Sequence, residues 1–169
     1  MTDDSDAKSQ FLAPFVASLM RVEDGWIDYN GHLNMAYYNV LFDRAVDQVY
    51  ALLGVGAGYM QARGMTLFTA EAHVRYLREL HAGDEVRVTF QLLDFDAKRL
   101  HYFQELHHAA EGFLSATCEV LSLHVDLAAK KTAPFPPDVE QKLRLMAQSH
   151  ARLKRPEAAG RAIAMPQKA

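Results

Sequence analysis

The stretch between Asn34 and Gly54 constrains this chain more than any other, because it reads as a long helix that is apolar almost all the way round. Asn34 is a strong N-cap type, able to accept from an orphan amide of the first turn, and Gly54 supplies a left-handed stop. Between them Asn39, Asp43 and Asp47 recur at i,i+4, with Arg44 and Gln48 beside them, so the polar residues form one narrow stripe. Tyr37, Val40, Leu41, Ala45, Val49 and Leu52 cover the rest. A helix of this kind must be mostly buried, and the remainder of the chain must supply the cover.

That cover reads as β-structure. Val86, Val88, Phe90 and Leu92 alternate with Arg87, Thr89 and Gln91; Leu100, Tyr102 and Leu106 alternate with His101, Glu105 and His107. Gly112 to Val125 is a third, longer β-rich run, Met65 to Leu77 another strand, and Phe15 to Val22 a weaker first one. The breaks at His81–Asp84, Asp94–Ala97 and Ala110–Gly112 are short and hairpin-like. With no repeating βαβ pattern, the order predicts an α+β domain: one long central helix and an antiparallel sheet. Pro134, Pro136 and Pro137 close the sheet region, Val139 to Leu153 is read as a C-terminal helix, and the Ala-rich segment from Pro156 as a mobile tail.

Composition narrows the function classes. A chain of 169 residues, half of them hydrophobic, is most simply one globular domain. Its net charge of −3 provides no basic stripe for nucleic acid. The lone Cys118 excludes an intramolecular disulfide, and neither a Cys pair nor the adjacent His107 and His108, which a strand points to opposite faces, suggests a metal site. Met1 to Gln10 is polar and acidic, unlike a signal peptide, and no apolar run approaches the roughly 18 residues of a membrane span, so the expectation is a cytoplasmic protein without membrane contact.

The chemistry-bearing stretch is Asp28-Tyr29-Asn30-Gly31-His32-Leu33-Asn34. It sets a carboxylate, an imidazole and a glycine turn directly before a helix start, where unpaired N–H groups can bind a developing negative charge. Asp28 lies six positions ahead of Asn34, too far to cap the helix. His32 either packs in the loop or takes part in the chemistry, and Asn34 is read as the cap that shapes the donor. Glu71 and His73 share one face of a strand; a carboxylate there either pairs with His73 or Arg75 or faces a binding pocket.

A single long apolar helix followed by a sheet large enough to wrap it resembles the hotdog fold of the thioesterase superfamily. Asp28, Gly31, His32, Asn34 and Tyr38 sit where the 4-hydroxybenzoyl-CoA-thioesterase-like branch has its catalytic Asp, its glycine turn and its helix start. Trp26 to Asn34, Val74-Arg75-Tyr76-Leu77, Lys98-Arg99-Leu100-His101 and Leu123-His124-Val125-Asp126 look more closely like the betainyl-CoA thioesterases, which occur alone or fused to carnitine dehydrogenases. The similarity runs from about Phe15 to Pro137.

The resemblance implies a hotdog domain over 11–137 with a C-terminal helix and tail over 138–169. It implies hydrolysis of a short acyl-CoA ester, betainyl-CoA in carnitine degradation, with coenzyme A as part of the substrate and no separate cofactor. Asp28 would act as base or nucleophile, with His32 and Asn34 beside it, and the Met35 backbone N–H would meet the thioester oxygen. Trp26, Tyr29 and Tyr37 are core aromatics or, around a quaternary ammonium, cation–π partners; Glu71 and His73 complete the expected substrate contacts. Lys98, Arg99, Lys130 and Lys131 are ordinary solvated charges or contacts to coenzyme A phosphates. Exposed sheet edges predict a homodimer or a dimer of dimers. A hotdog hydratase or dehydratase, and a non-catalytic acyl-CoA-binding module, are the competing expectations.

Overall fold

The computed structural model describes residues 11–165. The expectation about a leader peptide rests on Met1 to Gln10, which lie outside the described residues. Helix α1, Met35–Leu53, begins on Asn34, whose Oδ1 accepts the Ala36 amide at 3.0 Å, and ends at Gly54 with φ 81°, a conformation that costs glycine little. Tyr38, Leu41, Phe42, Ala45, Val46, Val49 and Leu53 are buried, at the three- and four-residue spacing that makes one helical face. At ~1.5–3 kcal/mol for each large apolar side chain, this face contributes on the order of 10 kcal/mol, comparable with the whole stability of a domain. Leu52, counted in the sequence with the apolar cover, is 45% exposed; Leu53, one turn on from Val49, takes the core position instead.

A short helix, α2, spans Ala57–Arg63 in a glycine-rich stretch with no legible helical pattern. Tertiary contacts hold it. Its buried Tyr59 hydroxyl lies 2.8 Å from Nε2 of His124, whose Nδ1–H donates to the Ala133 carbonyl at 2.7 Å.

The strands β1 (Phe15–Val16), β2 (Met20–Arg21), β3 (Met65–Tyr76), β4 (Glu85–Phe95), β5 (Arg99–His108), β6 (Leu114–Asp126) and β7 (Lys131–Thr132) form one antiparallel sheet. Its order is β1-β4-β5-β6-β3, with β2 also on β4 and β7 on β6. The weak first strand is therefore an interrupted edge along β4, bridged by the Ala17 amide, which donates to the Val88 carbonyl at 2.9 Å. Register slips between Thr69 and Glu71, Leu92 and Asp94, and Leu106 and His107 bend the strands, which lets the sheet curl round α1. Val86, Val88, Phe90, Leu100, Tyr102, Leu106, Ala116 and Cys118 form the buried inner face. Gln104 Nε2 donates to the Phe42 carbonyl at 3.0 Å, and the Tyr50 hydroxyl to Ser122 Oγ at 3.2 Å, fixing the helix over the sheet.

Helix α3, Pro137–His150, starts two residues before and ends three residues before the sequence-derived bounds, with Pro at its first position, where no amide is missed. His150 Nδ1 accepts the Leu92 amide at 2.9 Å, and its Nε2–H donates to the Leu12 carbonyl, so α3 closes the edge of β4. Of the segment from Pro156 expected to be a mobile tail, Pro156 to Ala162 lie against the outer face of the sheet, and residues 166–169 lie outside the described residues. Gln91 donates to the Lys154 carbonyl, the Gly160 amide donates to Glu119 at 2.7 Å, and Phe103 lies beneath, 3% exposed.

Candidate active site

The loop before α1 is held from both sides. Ile27 and Leu33 bridge, the Asp28 amide donates to the His32 carbonyl at 3.0 Å, and the Gly31 amide to the Asp28 carbonyl at 3.0 Å. Gly31 takes φ 81° to close this turn. Outside it, the Leu33 amide donates to the Leu80 carbonyl and the Asn34 amide to the Trp26 carbonyl. Asp28 Oδ1 accepts the Asn30 amide at 2.8 Å, an Asx-type turn that fixes the carboxylate and leaves Oδ2 free.

The first turn of α1 distributes its orphan amides unevenly. Asn34 Oδ1 accepts Ala36 N–H, the Asn34 carbonyl accepts Tyr37 N–H at 3.0 Å, and Met35 N–H has no acceptor among the described residues. One amide at the positive end of a nineteen-residue helix is thus left to bind an oxygen that gains charge.

Asp28, His32 and Met35 line one cleft of about 410 Å³, with Leu33 and Tyr38 on the loop and helix side and Tyr76, Leu77, Arg78 and Glu79 where β3 ends. Tyr38 is buried, which pushes its phenol above the ordinary value, and its ring meets Tyr76 edge-on at 5.1 Å. The Tyr76 hydroxyl donates to the Met35 carbonyl at 3.3 Å, clamping β3 to the helix start. His32 packs edge-on against His81 at 5.3 Å. Glu79 is held below the usual carboxylate range by its own backbone amide and then by nearby His32. The Arg78 guanidinium lies 3.7 Å over the Phe113 ring and 3.3 Å from Glu111.

The remaining sequence-derived candidates lie elsewhere. Trp26 is 7% exposed, stacked on Tyr37 at 5.4 Å, with the Arg44 guanidinium 5.0 Å over its ring. Tyr29 is 97% exposed at the loop tip and does not line the cleft. Glu71 and His73 face outward and line a second cleft of about 450 Å³ with His101, Glu119 and Arg99. There His101 pairs with Glu119 at 2.7 Å, while Glu71 makes no hydrogen bond or ion pair with His73 or Arg75 among the described residues. Arg99 is committed to Asp96. Lys98 adjoins His124, eight residues along β6 from the Ala116 that pairs with Tyr76, so the basic turn lies about 25 Å from the Asp28 cleft. Among the described residues, no three His, Cys, Asp or Glu side chains could hold one metal ion, and no helix is long and apolar enough to cross a membrane.

Tyr76, Arg78 and Glu79 were missed as cleft residues. The only sequence trace was the Val74-Arg75-Tyr76-Leu77 match; nothing local says that the end of β3 closes on the start of α1.

Residues 22–143 match the family model described as the thioesterase-like superfamily. The chain is 41% identical over 143 residues to a Rhizobium meliloti (strain 1021) protein named L-carnitine dehydrogenase/betainyl-CoA thioesterase, covering 85% of this chain and 29% of that protein. It is 39% identical over 141 residues to the betainyl-CoA thioesterase of Pseudomonas aeruginosa strain PAO1, covering 83% of this chain and 89% of the relative. Among solved structures, a Staphylococcus aureus protein in complex with CoA superposes with a TM-score of 0.84 at 29% identity, covering 92% of this chain and 98% of that one. This chain therefore spans less than a third of the first, two-activity relative and nearly all of the single-activity one.

Proposed function

The chain belongs to the thioesterase-like superfamily, and on that premise we propose that it hydrolyses a short acyl-CoA thioester, betainyl-CoA first among candidates, to the free acid and coenzyme A. One observation carries the reading: the unpartnered Met35 N–H at the positive end of α1 shares a cleft with the Asp28 carboxylate. The two supply what the reaction needs. Met35 N–H stabilises the oxygen as the carbonyl becomes tetrahedral, an effect typically worth on the order of 100-fold or more in rate. Asp28 either attacks the carbonyl carbon, giving an anhydride that water then hydrolyses, or deprotonates the water that attacks it. In both routes the C–S bond breaks and coenzyme A leaves as the thiolate and takes up a proton. Asn34 sets the geometry by occupying the Ala36 amide, and His32 lines the same cleft as Asp28. Coenzyme A is part of the substrate and no separate cofactor is required. A CoA-ester substrate supports a cytoplasmic location.

The relatives named as betainyl-CoA thioesterases support the acyl group. The CoA complex of the S. aureus protein supports the carrier. The working unit is a homodimer or a dimer of dimers: among the described residues β3 has a neighbour on one edge only, and its exposed Phe68, with the groove lined by Val40, Val46, Thr69 and Ala72, suits pairing with a second copy.

A thiol-release screen across acyl-CoA esters tests the reading. Betainyl-CoA should give the highest kcat/KM with stoichiometric free thiol. Consumption of an unsaturated acyl-CoA without thiol release would support the hydratase instead, because a hydratase leaves the thioester intact. Binding without turnover would support the acyl-CoA-binding module.

A further inference from the structure

We propose that the ring of Tyr76, backed by Tyr38, and the carboxylate of Glu79 form the subsite that recognises a quaternary ammonium on the acyl group; this rests on the betainyl reading above. A trimethylammonium group has no N–H to donate, so its charge is recognised by aromatic faces and by a carboxylate's field. Its position is also constrained. In betainyl-CoA one methylene separates the nitrogen from the reacting carbonyl carbon, an N–C–C unit about 2.5 Å end to end, as in a peptide backbone. The subsite must therefore lie in the cleft that holds Asp28 and Met35.

That constraint selects among the charged and aromatic groups. Trp26 and Tyr37 are stacked on each other beside Arg44, Tyr29 projects into solvent, and Glu71 lines the other cleft. The cleft's own aromatics are Tyr38 and Tyr76, and its carboxylate besides Asp28 is Glu79. Tyr76 is fixed by its hydrogen bond to the Met35 carbonyl and by its edge-on contact with Tyr38, yet remains 44% exposed. Arg78 would repel a cation, but its guanidinium is taken up by the Phe113 ring and Glu111. His32 lines the same cleft as Glu79 and packs edge-on against His81.

The test compares betainyl-CoA with 3,3-dimethylbutyryl-CoA, in which carbon replaces the nitrogen at nearly the same shape. Wild type should prefer the cation in kcat/KM by about tenfold or more. Tyr76→Leu should reduce that ratio about tenfold and Glu79→Gln about threefold. Tyr76→Phe should keep the ratio, because the ring remains although the bond to Met35 is lost. Glu79 is exposed at the cleft mouth, so Glu79→Gln carries the test even if Tyr76→Leu does not fold. A wild type preferring the cation while Glu79→Gln and Tyr76→Leu retain its ratio overturns the subsite alone. Loss of the ratio in Tyr76→Phe to the extent seen in Tyr76→Leu also overturns it, because the hydroxyl and not the ring would then matter. Equal kcat/KM for the two esters in wild type overturns the betainyl reading itself.

Discussion

Replacing Asp28 by Asn removes a proton acceptor while leaving its surroundings nearly intact. The amide oxygen can still accept the Asn30 N–H now held at 2.8 Å, and the backbone bonds from Asp28 to His32 and from Gly31 to Asp28 do not involve the side chain. The turn should keep its shape, and Met35 N–H its aim. On the proposed mechanism the loss is confined to the base or nucleophile, which contributes typically 10²- to 10⁴-fold, or about 2.7–5.5 kcal/mol of barrier. Asp28→Asn should accordingly lower kcat by at least about 100-fold, with KM within about threefold, because the substrate contacts remain. Exchanging a charged for a neutral acceptor in one hydrogen bond costs about 1 kcal/mol or less, so Tm should fall by no more than about 2–4 °C. Asp28→Ala should lose as much kcat and more Tm, because the Asx turn goes as well. Initial rates of thiol release at saturating substrate, with thermal melts of the same preparations, measure both quantities. A folded Asp28→Asn protein turning over at the wild-type rate would refute the assignment of Asp28 and the chemistry built on it.

Asn34→Ala removes the acceptor for Ala36 N–H and should cost about 1 kcal/mol, seen as a Tm drop of about 2–4 °C, with Asn34→Asp restoring most of it; an unchanged Tm in the Ala variant would deny the cap. His150 is held below its ordinary pKa by burial, opposed by its bond to the Leu12 carbonyl, so the unfolded chain takes up a proton near pH 6.5 that the folded protein resists. Stability from this group is full above pH 6.5 and falls as pH drops through that value toward the folded pKa. His107, raised mainly by its hydrogen bond with Glu105, acts in the opposite sense, so the measurement is the difference between wild type and His150→Gln in the pH dependence of Tm from 7.5 to 5. Parallel curves would deny His150 its part. Light scattering at micromolar concentration should give at least about twice the 19.0 kDa chain mass, and an active monomer would exclude the dimer.

Local signals were sufficient wherever one segment determines its own conformation. Asn34 and Gly54 bound α1 because cap and stop chemistry act within a few residues, and alternation marked the long strands because side-chain direction along a strand has a period of two. The Asp28 turn was legible for the same reason: Gly31 and the Asx bond to Asn30 are local. Tertiary structure decided what depends on partners distant in the chain. Helix α2 persists in a glycine-rich stretch because His124, sixty-five residues from Tyr59, anchors it. The segment from Pro156 has little apolar pattern of its own, yet Glu119 and the outer face of the sheet give contacts to its residues Pro156, Glu157 and Gly160. The walls of the cleft show the division most clearly. Trp26 and Tyr29, near Asp28 in sequence, do not line it, while Tyr76 and Glu79, some fifty residues distant, do, because β3 pairs with β6 and ends beside the start of α1. Caps and alternation are properties of neighbouring residues, whereas the meeting of β3 with α1 arises from strand order and sheet curvature, which no single segment encodes.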